Sequence, residues 1–163
     1  MGAIMRRLRT TLVLSAGLIA AGAVPAQSAV PSAPDIPVLT GIRTGTHSTF
    51  DRIVLDFSGP QPRVRSRFVD ALTRDGSGSI EWLPGAVFAE VHATPAQAHD
   101  NAGHSSYPGP RKFRTRNLTN VVAVAITGDF EGVLSVGVGM RRQTSVKLFT
   151  LTGPTRVVID VGH

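Results

Sequence analysis

The feature that most constrains the fold is alternation. From residue 38 onward, apolar and polar side chains alternate in short runs rich in Val, Ile and Thr, separated by Gly, Pro, Asn and Asp. Successive side chains of a strand point to opposite faces, so such runs suit strands with one buried face. Nowhere do apolar residues recur at helical spacing through three turns. The expected fold is all-β, a single-domain β-sandwich with one short helical segment and one long loop. Strands are predicted at 38–43, 50–57, 63–69, 86–93, 121–127, 133–138, 146–151 and 155–161. The short helix is predicted at 95–101, with Thr94 as N-cap and Pro95 in the first turn. The stretch 101–117 holds Gly103, Pro108, Gly109 and Pro110 without periodicity, and is predicted to be a surface loop.

Two runs echo each other. Arg52-Ile53-Val54-Leu55-Asp56-Phe57 and Arg156-Val157-Val158-Ile159-Asp160-Val161 share the order Arg, apolar, Val, apolar, Asp, apolar, and each adjoins a Gly-Pro pair, Gly59-Pro60 or Gly153-Pro154. On either strand Arg and Asp share a face but lie about 13 Å apart, too far to pair. An antiparallel pairing centred on Val54 and Val158 sets Arg52 opposite Asp160 and Asp56 opposite Arg156, whereas a parallel one sets like charges together. The echo therefore predicts an antiparallel neighbourhood with Ile53, Leu55, Phe57, Val157, Ile159 and Val161 facing the core.

The first ten residues carry Arg6, Arg7 and Arg9 and no acid, and an apolar run of small residues follows from Leu12 to Val24. This is the pattern of a signal peptide over residues 1–26, cleaved after Ala26. A permanent membrane span needs about 20 apolar residues, and this run breaks at Pro25, Gln27 and Ser28. Arg6-Arg7 hints at twin-arginine export without the rest of that signature, so the route stays open. Residues 27–37, with Pro31, Pro34 and Pro37, suit an extended tether to a folded domain at 38–163. A secreted, extracytoplasmic location at the cell envelope is expected. The chain has no cysteine, which removes disulfides, thiolate metal sites, cysteine nucleophiles and a lipid anchor through cysteine. The part after residue 26 holds 14 basic and 11 acidic residues, and Arg outnumbers Lys 15 to 2 over the whole chain. One Trp and one Tyr give little for bases to stack on, so a nucleic-acid partner is not expected.

Catalytic machinery is not evident in the residues. His92, His99, Asp100, His104 and His163 offer no His-x-x-x-His spacing and no adjacent glutamate base, so they are expected to be solvated loop histidines, with no metal and no cofactor. Asp100-Asn101-Ala102-Gly103 resembles the opening of a calcium loop but lacks the later acids, and is read as a turn. Ser105 and Ser106 lack a Gly-x-Ser-x-Gly elbow. Glu81, Glu90, Asp129 and Glu131 could supply a carboxylate pair, but spacing singles out no two of them. Asp129-Phe130-Glu131-Gly132 is read as a hairpin connection.

Candidate ligand contacts are basic and aromatic. Arg63, Arg65 and Arg67 share one strand face at steps of about 6.6 Å. Arg111, Lys112, Arg114 and Arg116 cluster in the predicted loop, and Arg141 and Arg142 sit at a predicted hairpin end. Guanidinium groups pair bidentately with carboxylates and phosphates. Trp82 and Tyr107 are the candidate sugar-stacking rings.

The chain resembles the AMIN-like domains of secreted actinobacterial proteins. The resemblance is carried by residues 46–60, reading Thr-His-Ser-Thr-Phe-Asp-Arg-Ile-Val-Leu-Asp-Phe-Ser-Gly-Pro, by Ala98-His99-Asp100, by Thr127-Gly128-Asp129-Phe130-Glu131-Gly132, and by 149–161, reading Phe-Thr-Leu-Thr-Gly-Pro-Thr-Arg-Val-Val-Ile-Asp-Val. It implies a β-sandwich related to the AMIN modules that accompany peptidoglycan amidases and secretins and localise them by binding the wall. The expectation is a non-catalytic extracytoplasmic module associating with peptidoglycan or an anionic wall polymer. Two alternatives stay open, a secreted module that binds an envelope protein by its sheet edge and a small carboxylate-dependent hydrolase.

Overall fold

The computed structural model describes residues 35–163; the expected signal peptide and most of the tether lie outside them. Nine strands follow in order: β1 (Val38–Thr46), β2 (Phe50–Ser58), β3 (Arg63–Val69), β4 (Val87–Thr94), β5 (Lys112–Arg114), β6 (Val121–Phe130), β7 (Val133–Met140), β8 (Val146–Leu151) and β9 (Thr155–Gly162). They form two sheets, one in the order β1-β2-β9-β8 and the other β3-β4-β7-β6-β5, and every neighbouring pair is antiparallel.

The period-two pattern builds one core between the sheets. Leu39, Ile53, Leu55, Phe57, Val157, Ile159 and Val161 from the first sheet meet Ala89, Val91, Val124, Ile126, Leu134, Val136 and Val138 from the second. This is the expected all-β sandwich. The register of β2 on β9 is the one the echo predicts, with Val54 opposite Val158, Arg52 opposite Asp160 and Asp56 opposite Arg156. Arg52 and Asp160 form a bidentate pair at 2.7 and 2.8 Å. The second expected pair does not form. Arg43 on β1 claims Asp56 with two bonds of 2.7 Å, and Arg156 turns its Nε to the Pro154 carbonyl instead. β1 and β9 flank β2 from opposite sides, and Asp56 could serve either neighbour.

Three local expectations need correction. Residues 95–101 form no helix. Ala96 and Ala98 are buried with Gln97 between them, the alternation of an extended chain. Their backbone bonds go to other segments: Ala96 N–H to Gly132 O at 2.9 Å, Gln97 N–H to Pro37 O at 3.0 Å, and Leu39 N–H to Gln97 O at 2.8 Å. Tertiary pairing thus overrides a short helix that local capping alone would have to support. The predicted loop 101–117 also contains strand β5, which pairs with β6 through Phe113 and Val124. Arg141 and Arg142, finally, end no hairpin, because β7 and β8 belong to different sheets. They begin a crossover held by Asn120, whose Oδ1 accepts both backbone N–H groups at 3.2 and 3.1 Å.

The connection 70–86 covers the outer face of the second sheet. Leu72 and Leu83 pack there on Ala123 and Ala125 as a separate small core. Glycines admit this layer. A Cβ at Gly137 would lie 2.6 Å from a Leu72 methyl, and one at Gly139 would collide with the Pro84 carbonyl oxygen. The β6-β7 hairpin turns on Glu131 (φ 49°) and Gly132 (φ 72°), the paired left-handed conformation of a tight hairpin. The expected hairpin connection is therefore present.

Candidate functional site

The basic residues singled out from sequence do not form one patch. Arg63, Arg65 and Arg67 project from one face of β3, opposite Thr94, His92 and Glu90. Lys112 and Arg114 lie on β5, at the far edge of the same sheet. Four inter-strand steps separate the edges, roughly 19 Å. Arg67 is committed to Glu90, with bonds of 2.7 and 3.0 Å, while Arg63 and Arg65 are exposed and form no ion pair among the described residues. Lys112 pairs with Glu81 and bonds the Trp82 carbonyl at 3.0 Å. Arg114 and Arg141 line a hollow of about 420 Å³ beside Pro84 and Gly85. Arg116 and Arg142 are exposed. Of the aromatic candidates, Trp82 stands 80 % exposed and Tyr107 is buried. Burial also raises the Tyr107 phenol above its ordinary pKa.

Two of the acids considered for catalysis are structural partners. Glu81 is held below the usual carboxylate range by hydrogen bonds from Arg74 and then Lys112. Glu90 is buried, which pushes its pKa up, but Arg67 and His92 together outweigh that and lower it. From Glu90 a polar chain continues inward: His92 Nε2 lies 3.0 Å from Glu90, its Nδ1 3.3 Å from Ser135 Oγ, and the Ser135 hydroxyl donates to Asp75 at 2.6 Å. Ser135 is fully buried and its proton points at Asp75. It is a tie between strand β7 and the covering segment, not an exposed nucleophile.

Three segments far apart in sequence meet at a surface cleft of about 590 Å³. Arg74, Asp75 and Ser77 come from the covering segment, His99 and Ser105 from the loop after β4, and Thr127, Asp129 and Phe130 from the end of β6, with Arg111 beside them. Each wall has a local reason. The Asp75 N–H bonds Thr127 O at 3.1 Å, and Gly128 leaves room for the Asp75 carboxylate, with which a Cβ there would collide. The loop is turned by Asp100, whose Oδ1 accepts the N–H groups of Ala102 and His104 at 2.9 Å each. Those bonds, the His104 one foremost, hold the Asp100 carboxyl low. The expected turn is there, and it brings His99 opposite Ser105.

His99 is not the free loop side chain expected. Its Nδ1 lies 2.7 Å from Asp129 Oδ2, and only about a third of its side chain is exposed, against a tenth for Asp129. The other carboxylate oxygen, Asp129 Oδ1, and the Thr127 hydroxyl are buried without a partner among the described residues. Arg111 spends one N–H on the Ile126 carbonyl at 3.2 Å and keeps the rest of its fork. Phe130 stands 61 % exposed beside them. The cleft thus offers acceptors, a cationic donor and an apolar platform. Sequence reasoning reached Arg111 but not Asp75, His99, Thr127, Asp129 or Phe130 as a group. The available signal was that Ala98-His99-Asp100 and Thr127 to Gly132, two of the runs carrying the family resemblance, both contribute here. Among the described residues no group of three or more His, Asp or Glu could hold a metal ion, and no helix is long and apolar enough to cross a membrane.

Fold and cleft define a nine-stranded antiparallel sandwich with a surface recess at the end of β6, walled by the covering segment and the loop after β4. A family model described as the AMIN-like domain matches residues 37–163, and the chain belongs to that family. Such domains are, in general, peptidoglycan-associated extracytoplasmic modules. No curated protein and no solved structure matches the chain.

Proposed function

We propose that this protein is a secreted, non-catalytic binding module that associates with the cell wall through its larger sheet, at the cleft beside the end of β6. The cleft holds the polymer, and exposed Arg63 and Arg65 add attraction for anionic groups along it. The observation that carries this reading is the pair of orphaned acceptors, Thr127 Oγ1 and Asp129 Oδ1, on two residues that line the cleft. A buried acceptor without a donor costs about 1–3 kcal/mol, which a ligand donor would recover. The test is sedimentation with purified wall sacculi. The protein should pellet, and part of the binding should weaken as salt rises. Absence of pelleting at low salt would contradict wall association and favour a protein partner at the free edge of β1.

The hydrolase alternative gains one observation, because Asp75 and Asp129 line the same cleft. Each already has a partner at Oδ2, Ser135 for Asp75 and His99 for Asp129. Incubation with sacculi should therefore release no soluble fragments, and release abolished by Asp75→Asn or Asp129→Asn would establish the hydrolase instead.

A further inference from the structure

Resting on the wall-binding reading, we infer that the cleft takes the neutral saccharide part of the polymer and not its anionic groups. Charge balance is the first reason. Two guanidiniums, Arg74 and Arg111, and two carboxylates, Asp75 and Asp129, line the recess. A site for phosphate or carboxylate would hold cations in excess, whereas one lining residue here, Asp129, carries a buried carboxylate oxygen in want of a donor. Anions carry no such donor. Hydroxyl and amide N–H groups do.

The second reason is the pairing of acceptor with donor and platform. Asp129 Oδ1 and Thr127 Oγ1, buried and unpartnered, would receive ligand hydroxyl or amide protons after a small side-chain turn toward the cleft, while the spare N–H groups of Arg111 would serve ring, hydroxyl or acetamido oxygens. Phe130, largely exposed at the same cleft, offers an apolar surface to the C–H face of a sugar ring. A volume of about 590 Å³ falls in the range of small-molecule sites, about 300–1,000 Å³.

The third reason is continuity. A smaller recess of about 270 Å³, lined by Glu81 and Lys112, shares Arg74, Arg111 and Ile126 with the cleft. Next to Glu81 stands Trp82, 80 % exposed, its carbonyl held by Lys112. The two recesses adjoin through these shared residues; Phe130 lines the larger, and Trp82 follows Glu81 of the smaller in the chain. A chain of sugar units fits adjoining recesses better than a single small molecule.

The experiment is calorimetric titration of protein purified from cells expressing the full chain, using a tetrasaccharide of N-acetylglucosamine and, separately, a glycerol-phosphate polymer. The tetrasaccharide should bind saturably and with little dependence on salt. Thr127→Val removes the orphaned hydroxyl at constant shape and should weaken that binding about tenfold, one hydrogen bond's worth, without lowering the thermal midpoint. That split separates a ligand contact from a structural one. Asp129→Asn should weaken it at least as much. Sacculus pelleting without tetrasaccharide binding overturns the inference and leaves the wall reading intact. Tetrasaccharide binding without sacculus pelleting supports the cleft's ligand class and contradicts the wall reading. Unchanged affinity in both variants, or preferential binding of the phosphate polymer, overturns the inference.

Discussion

The carboxylate of Asp51 accepts the backbone N–H of Asn120 at 2.6 Å, across 69 residues of sequence and with both side chains fully buried. Asp51 also accepts from Val121 N–H at 2.9 Å and Thr119 N–H at 3.1 Å, and His163 Nε2 lies 3.1 Å away. Asn120 completes the joint. Its Nδ2 donates to the carbonyls of Gly162 and Arg142 and to Thr144 Oγ1. One acid and one amide thereby fasten the start of β2, the entry to β6, the β7-β8 crossover and the chain end, and so lock the two sheets together.

Replacing Asp51 with Ala should be severely destabilising. Three backbone N–H groups, two of them buried, would lose a charged acceptor, and such hydrogen bonds contribute about 1.5–3 kcal/mol each. A loss of about 3 kcal/mol or more is expected, read as a drop in the urea midpoint at constant slope. A loss under about 0.5 kcal/mol, the level of an ordinary surface change, would show that the joint is not structural.

The same joint sets an acid limit. Burial pushes the Asp51 pKa up, but the N–H groups of Val121, Asn120 and Thr119, aided by His163, outweigh it and leave it below the ordinary 3.8. A carboxyl whose folded pKa is depressed stabilises the fold above its unfolded pKa and loses that contribution as pH falls toward the folded one. Stability should therefore hold through neutral pH and decline below about pH 4, with Glu81 and Glu90, also depressed, adding to the slope. In Asp51→Asn the slope should be shallower. An identical pH profile in wild type and variant would remove Asp51 from the cause.

Arg52 and Arg43 should differ in worth although both pairs are bidentate. Arg52 lies between Phe50 and Phe149, 5.0 and 5.5 Å from the ring centres, and its partner Asp160 is largely buried. Arg43 is mostly exposed. Double-mutant cycles should give about 1 kcal/mol or more for Arg52 with Asp160 and a few tenths for Arg43 with Asp56. Raising salt should reduce the second coupling more than the first. Equal couplings would contradict the ranking.

Gly139→Ala should loosen the covering segment, because the added methyl meets the backbone carbonyl of Pro84. Overpacking of this kind costs about 1–3 kcal/mol. Hydrogen exchange should rise first in 70–86, where Arg74, Asp75 and Glu81 arise, and little in β2 or β9. Uniform acceleration across both sheets would argue against a separately anchored layer.

The echo of Arg52 to Phe57 in Arg156 to Val161 made the β2-β9 register legible, because opposed charges four residues apart fit only one antiparallel alignment. Alternation likewise revealed the shared face of Arg63, Arg65 and Arg67. What sequence could not show was tertiary choice. Asp56 had two possible arginine partners, one on each flanking strand, and Arg43 of β1 took it. Ala96 and Ala98 look equally suited to a helix until Pro37 and Gly132 supply backbone partners. The cleft was hidden for the same reason: Asp75, His99 and Asp129 are united by loops whose paths depend on Gly128 accommodating Asp75 and on the Asp100 turn. Tyr107, beside Pro108, gave no local sign that its ring would be buried over Gly109, where a Cβ would collide with it.

The central claim, that the cleft at the end of β6 is the binding surface, is tested most directly by following backbone amide resonances during titration with solubilised wall glycan fragments. The account predicts saturable shifts concentrated at Asp75, His99, Arg111, Gly128 and Asp129. Shifts centred instead on Arg43, Val54 and Phe149 of the opposite sheet, or none at saturating fragment, would contradict it.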